Sequence, residues 1–174
     1  KTASRSACCL SHSRARRRAD RRMRVRSSTI RIGLISDTHN MVRPAAKLAL
    51  AGVTRILHAG DICGRDVLDE LATVAPVTAV RGNNDRGAWA GSIRISEVVE
   101  IGGVSIYMLH DLSELDLDPR AAGFSVVISG HSHRPAMRES DGVLFINPGS
   151  AGPRRFSLPV SLGFIEIIAG TVSA

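Results

Sequence analysis

Aromatic residues are scarce in this 174-residue chain, with one Trp, one Tyr and four Phe making up 3% of the sequence. A core with so few rings must rest on Val, Ile, Leu and Ala, which the ordinary apolar fraction of 44% supplies. Cysteine is also rare. Cys8 and Cys9 fall in the N-terminal tail and only Cys63 in the body of the chain. That argues against a disulfide framework and for a reducing compartment, so the expected localisation is cytoplasmic. No stretch approaches the ~18 apolar residues of a membrane span. Nor does an apolar run of ~7–15 residues follow the N-terminal arginines, as a secretory signal requires. No internal repeat is visible. The length suits one domain with a real core and is too short for two comfortable ones.

Acidic residues are nearly missing from the first 28 positions, which hold ten of the 23 Lys and Arg but one of the 16 Asp and Glu, a net charge of +9. Residues 29–174 carry 13 basic and 15 acidic groups, a net −2, so the overall +7 belongs to a tail. Segment 1–28 is Arg- and Ser-rich without apolar periodicity and is expected to be disordered by itself. Three readings of it stay open. It is non-native or an over-extended start, since Met23 lies just before the first apolar run. It is a transit-peptide-like segment. Or it is a basic arm that touches nucleic acid through phosphates. Residues 29–174 are expected to form a single domain.

Along that domain, Ile30 to Ile35 reads as a buried strand. Pro44 fits the first turn of a helix over Ala45 to Ala51 that Gly52 ends. Arg55 to Ala59 is a short strand, Asp66 to Thr73 a second helix, and Val77 to Val80 a third strand. This β-α-β-α-β order is that of a mostly parallel sheet with right-handed crossovers. The second half changes character. Ile93 to Ile101 and Val104 to Leu109 read as a hairpin around Gly102-Gly103. Leu112 to Ala122 is expected to be a short helix and Phe124 to Ser129 another buried strand. Strands near Ala136 to Glu139 and Val143 to Asn147 flank the Asp141-Gly142 turn, and Ser161 to Ile168 closes the fold. The expected class is α/β, a two-layered β-sandwich flanked by helices.

Each of five apolar strands runs into a polar cluster: Asp37/His39, Asp61, Asn83/Asp85, His110 and His131/His133. Loops at the carboxyl ends of strands are where open α/β sheets bind ligands. A carboxylate and an imidazole at i and i+2 can face one point there, as a metal site needs. Each cluster has a plainer reading. Gly60-Asp61 and Gly82 to Asp85 suit ordinary turns, Asp37 suits a helix N-cap, and His131 and His133 suit an exposed loop. Those readings do not account for four of six histidines at strand ends beside acids. His58 lies within a strand and suits the core or a supporting place behind the ligands rather than a ligand position, and His12 lies in the tail.

Asp-x-His, Gly-Asp, Gly-Asn-x-Asp, His and Gly-His-x-His, in this order over residues 30–168, resemble the calcineurin-like metallophosphoesterase superfamily. The Ile-Ser-Asp-Thr-His opening, His-Ala-Gly-Asp-Ile and Asn-Pro-Gly-Ser are similar to its compact bacterial and archaeal phosphodiesterase branch. The resemblance implies a β-sandwich flanked by helices and a site for two divalent ions, Mn first, with Fe, Ni or Zn as alternatives. Asp37, His39 and His133 would hold one ion, Asn83, His110 and His131 the other, and Asp61 would bridge them. It implies hydrolysis of a small phosphate ester by a metal-bound hydroxide, with Asp61, Asn83, Asp85 and His110 as catalytic residues.

Two positions depart from that family's pattern. The residue after the metal-binding Asn is often His, which acts with the following acid, here Asp85, as proton donor to the leaving group. Compact relatives often have Cys. Asn84 can donate a hydrogen bond but cannot act as a general acid near neutral pH. The motif His-Gly-His or His-Gly is here His110-Asp111-Leu112. Asp111 either repels phosphate or orients a neighbouring imidazole. Arg81, Arg86, Arg154 and Arg155 suit phosphate oxygens or a solvated surface. Two other functions are weighed against the esterase. One is a protein-binding scaffold, as in the retromer subunit that resembles this branch. The other is a nuclease, with nucleic acid reached only through the basic tail. Oligomeric state is left open, a homodimer being one candidate.

Overall fold

A computed structural model describes residues 29–155 and 157–174; the tail and its cysteines and histidine lie outside them. The chain runs β1 (Ile30–Ile35), α1 (Pro44–Ala49), β2 (Arg55–His58), α2 (Arg65–Ala72) and β3 (Val77–Ala79), then β4 (Ser96–Ile101) and β5 (Val104–Leu109). It continues through β6 (Val126–Ile128), β7 (Ala136–Ser140), β8 (Val143–Asn147), β9 (Gly163–Ile168) and β10 (Thr171–Ser173). The strands form two five-stranded sheets, ordered β10-β9-β1-β2-β3 and β4-β5-β6-β8-β7. β1, β2 and β3 pair in parallel, and β9 joins β1 antiparallel from the other side. In the second sheet β5, β6 and β8 are parallel between two antiparallel edges.

The sheets face each other across an aliphatic core. Ile32, Leu34, Leu57, Ile165 and Ile167 of the first meet Ile106, Met108, Val126, Ile128 and Ile146 of the second. Among the described residues no aromatic ring enters this layer, in keeping with the composition. Both α-helices cover the outer face of the first sheet, where Leu50, Val67 and Leu71 pack on Ile35 and Ile56. The expected α/β sandwich flanked by helices is therefore present, with its helical cover on that side.

The helix expected over Leu112 to Ala122 is not there. A single 3-10 turn, Leu112–Glu114, is followed by irregular chain. Pro119 lacks the amide a helix needs and disfavours helical backbone at Asp118. Asp118 instead accepts hydrogen bonds from the amides of Arg120 (2.9 Å) and Ala121 (3.2 Å) in a side-chain turn. The strand expected from Ile93 starts at Ser96, after a 3-10 turn at Ala90–Ser92, and the one expected from Ser161 starts at Gly163. β10 was not anticipated. Ala169 (φ 51°) and Gly170 (φ 80°) make the left-handed pair of a two-residue hairpin, but Ala-Gly is a weak turn signal.

Candidate metal centre

The five strand-end loops meet at one edge of the sandwich. The β1–β2 ladder continues past both strands: the amides of Asp37, His39 and Asn40 donate to the carbonyls of Gly60 (3.0 Å), Asp61 (3.0 Å) and Ile62 (2.8 Å). The Ala151 amide donates to the Ser36 carbonyl, and Ser150 Oγ to the Asp37 carbonyl at 2.9 Å. Gly130 N donates to the His110 carbonyl at 2.9 Å, linking the β5 and β6 loops. Five of the seven candidate ligands, Asp37, His39, Asp61, His131 and His133, have φ between 45° and 66°. Non-glycine residues seldom adopt this left-handed conformation, and here it turns successive side chains back towards one centre.

Two sets of donor atoms result. In the first, Asp37 Oδ1 lies 3.2 Å from His133 Nε2 and 4.0 Å from His39 Nε2, and the two imidazole nitrogens are 3.4 Å apart. In the second, Asn83 Oδ1 lies 3.1 Å from His110 Nε2 and 3.2 Å from His131 Nδ1. Asp61 stands between the sets. Its Oδ2 is 3.7 Å from His39 Nε2 and its Oδ1 3.5 Å from His110 Nε2. Asp37, Asp61, His110 and His133 are buried, whereas Asn83 and His131 are exposed, so access is from the second set. A cavity of ≈ 320 Å³ opens there, with Arg81 and Glu114 on its wall.

The residues present fit divalent cations. Asp37 Oδ1, which faces both imidazoles of the first set, is buried and lacks a hydrogen-bond partner. The lone pairs of two imidazoles and a carboxylate face one another at coordination-like separations. Imidazole nitrogens together with carboxylate oxygens make a donor set that divalent cations accept. Burial pushes the Asp37 carboxyl upward, more than Ser36 Oγ, 2.6 Å from its Oδ2, pulls it down. Burial also acts upward on Asp61, but the hydrogen bonds from His110 and Asn84 outweigh it and hold this carboxyl well below the usual range. His110 loses from burial and gains more from Asp61 and the Ala59 carbonyl, so its imidazole is raised.

The remaining expected residues take distinct places. Asp85 spans two loops, accepting from Cys63 N (2.6 Å) and Gly82 N (2.7 Å), so both its oxygens are engaged by backbone. Asn84 donates from its backbone to Asp61 Oδ1 at 2.8 Å and from Nδ2 to Asp61 Oδ2 at 2.6 Å. Asp111 Oδ2 sits 3.4 Å from His131 Nε2, an orienting position. Arg155 brings Nη2 to 3.4 Å from His39 Nε2, and like Arg86 and Arg154 it is exposed. Cys63 was not foreseen here. Its Sγ lies 3.5 Å from His39 Nδ1, and burial with nearby carboxylates raises the thiol to about 11, so it stays protonated.

His58, read from sequence as a core residue, is fully buried, its Nε2 3.0 Å from Thr38 Oγ1 and its Nδ1 accepting from Gly60 N. Burial lowers its pKa to about 3. Between about pH 6.5 and 3 the unfolded chain therefore binds a proton that the folded chain refuses. Stability is expected to fall by a few kcal/mol as pH drops through that window. Denaturant unfolding of His58→Gln should show a flatter profile than the parent; parallel profiles would remove this account.

Residues 30–170 match the Calcineurin-like phosphoesterase superfamily domain. The chain belongs to that superfamily. A probable metallophosphoesterase of Methanothermobacter thermautotrophicus is 37% identical over 140 residues, 74% of this chain and 81% of the relative. Among solved structures, a novel archaeal phosphodiesterase superposes with a TM-score of 0.67 at 27% identity, covering 79% of this chain and 99% of the other. Zinc-complexed Vacuolar Protein Sorting 29 of Entamoeba histolytica gives 0.61 at 26% identity, covering 82% and 96%. Among the described residues, no helix is long and apolar enough to cross a membrane.

Proposed function

We propose that this protein is a metal-dependent phosphodiesterase whose clustered side chains hold two divalent cations, manganese foremost, and that it hydrolyses a small phosphate ester. Asp61 carries the reading: a buried carboxylate with one oxygen towards each donor set can serve two ions at once. Two such ions polarise a phosphoryl group and supply an activated water near neutral pH. The protein's own groups do the rest. Asn83 contributes a neutral oxygen, which limits negative charge where an anionic substrate must approach. Asp85 holds the Gly82 turn against the Cys63 loop, and Asp111 orients His131. Arg81 and Arg155 bring cationic donors to the substrate side. The phosphodiesterase name of the archaeal relative supports a diester substrate.

Asn84 has no proton to give a departing alkoxide, and its amide is turned onto Asp61. General acid catalysis contributes ~10²–10⁴-fold where it operates. The chain with Mn²⁺ is therefore expected to cleave bis(4-nitrophenyl) phosphate faster than a dialkyl phosphate by the full difference in their intrinsic reactivity, uncompressed by the ~10²–10⁴-fold that a general acid would give the alkyl ester. A ratio ~10²-fold or more below that intrinsic difference, or equal rates for the two esters, would show a proton donor elsewhere. Binding of two ions without hydrolysis of any ester would favour a scaffold instead, the reading that likeness to Vacuolar Protein Sorting 29 supports.

A further inference from the structure

A second cavity, of ≈ 240 Å³, lies on the outer face of the second sheet and shares His131 and Asp111 with the cavity in front of Asn83. Its chemistry is different. Leu112, Ala136, Phe145 and Ile146 give it a mainly apolar lining, and Arg138 stacks its guanidinium 4.1 Å from the centre of the Phe145 ring. Among the described residues no α-helix covers this face, and segment 112–122 runs irregular after its 3-10 turn, with Asp118 and Pro119 setting its backbone. Asp111 couples the two cavities. Its Oδ1 accepts from the Ser113 amide at 2.9 Å and caps the turn that presents Leu112, while its Oδ2 faces His131 Nε2.

We propose that this cavity receives the ring-sized apolar substituent of the phosphate ester, with Leu112, Phe145 and Arg138 selecting it. Drug-sized ligands occupy roughly 300–1,000 Å³, so a cavity of this volume suits one aryl or heteroaryl ring. The apolar walls offer burial, and the Phe145 and Arg138 stack offers an edge on which a planar group packs. An ester whose phosphoryl group lies by Asn83, His110 and His131 has only the His131–Asp111 wall between it and the cavity. The inference rests on reading the adjoining cluster as a phosphoryl site.

The test is calorimetric titration of the full-length, Mn²⁺-loaded protein with phenylphosphonate and with methylphosphonate, which cannot be hydrolysed. The phenyl compound is expected to bind about tenfold tighter or more, the worth of burying one ring. Ala136→Trp, on an exposed edge strand, fills the cavity and should bring the ratio to within about twofold; Leu112→Ser should lower it as well. An unchanged melting transition confirms the fold of each variant. Equal affinities in the parent, or a preference that survives Ala136→Trp, would overturn the proposal. Ring preference without hydrolysis of any diester would instead leave the cavity standing and remove the esterase reading.

Discussion

Replacing Asp61 with alanine is expected to reduce Mn²⁺-dependent diester hydrolysis by at least about three orders of magnitude, equivalent to ~4 kcal/mol of transition-state stabilisation. The size follows from position. Asp61 is buried, receives two hydrogen bonds from Asn84, and faces His39 with one oxygen and His110 with the other. Its loss removes the group common to both donor sets and leaves the Asn84 amide without its acceptor. Equilibrium dialysis against Mn²⁺ separates the consequences: the variant should bind fewer than two ions per chain. Asp61→Asn keeps shape and one oxygen but loses the charge, and it should fall between alanine and the parent in ion affinity. Two tightly bound ions and undiminished hydrolysis in Asp61→Ala would show that another residue bridges.

The second large effect is expected at Gly82. A Cβ there would overlap the Asp61 backbone nitrogen and its Oδ1. The first is backbone and the second, though the end of a side chain, is pinned by the Asn84 amide at 2.8 Å, while the Gly82 amide is tied to Asp85 Oδ2 at 2.7 Å. The loop cannot move away without breaking the clamp between the β2 and β3 ends. Gly82→Ala is expected to cost about 1–3 kcal/mol in urea unfolding and to weaken Mn²⁺ binding at least about tenfold, since Asp61 must shift. Gly91→Ala is the control: nothing lies within 4 Å of its Cβ position, and the change should stay within about 0.5 kcal/mol. Equal behaviour of the two variants would mean that the close approach at Gly82 relaxes without consequence.

Much of this was legible in the residues, for identifiable reasons. The apolar runs of β1, β2 and β3 each stop at a polar cluster, so strand, boundary and site announce one another. The helix expected over 112–122 was lost to Asp118-Pro119, which set the backbone there. Asp111 illustrates a choice sequence leaves open. Repelling phosphate and orienting an imidazole are both reasonable for a carboxylate there, and its approach to His131 from across the β5 and β6 ends, out of reach of sequence, supports the second. The contact of Asn84 with Asp61 was also beyond reach, because it depends on how two loops 23 residues apart in sequence pack. The left-handed backbone at five ligand positions leaves no mark in composition, since Asp and His are found in every backbone region.

The place of β9 has a consequence for how the protein is made. β1 is the first strand of the domain, yet one of its two neighbours is β9, whose buried Ile165 and Ile167 complete the layer between the sheets. About 130 residues separate the ends of these strands. At ~5–20 residues per second, that is roughly 7–26 s of synthesis during which β1 offers a bare edge. The βαβαβ half can assemble in that time, but one side of its sheet stays unpaired and half of its core uncovered. A nascent chain in this state is open to pairing with other strands. Truncation between His133 and Gly163 leaves it there permanently, even though every residue of the donor sets has by then been made.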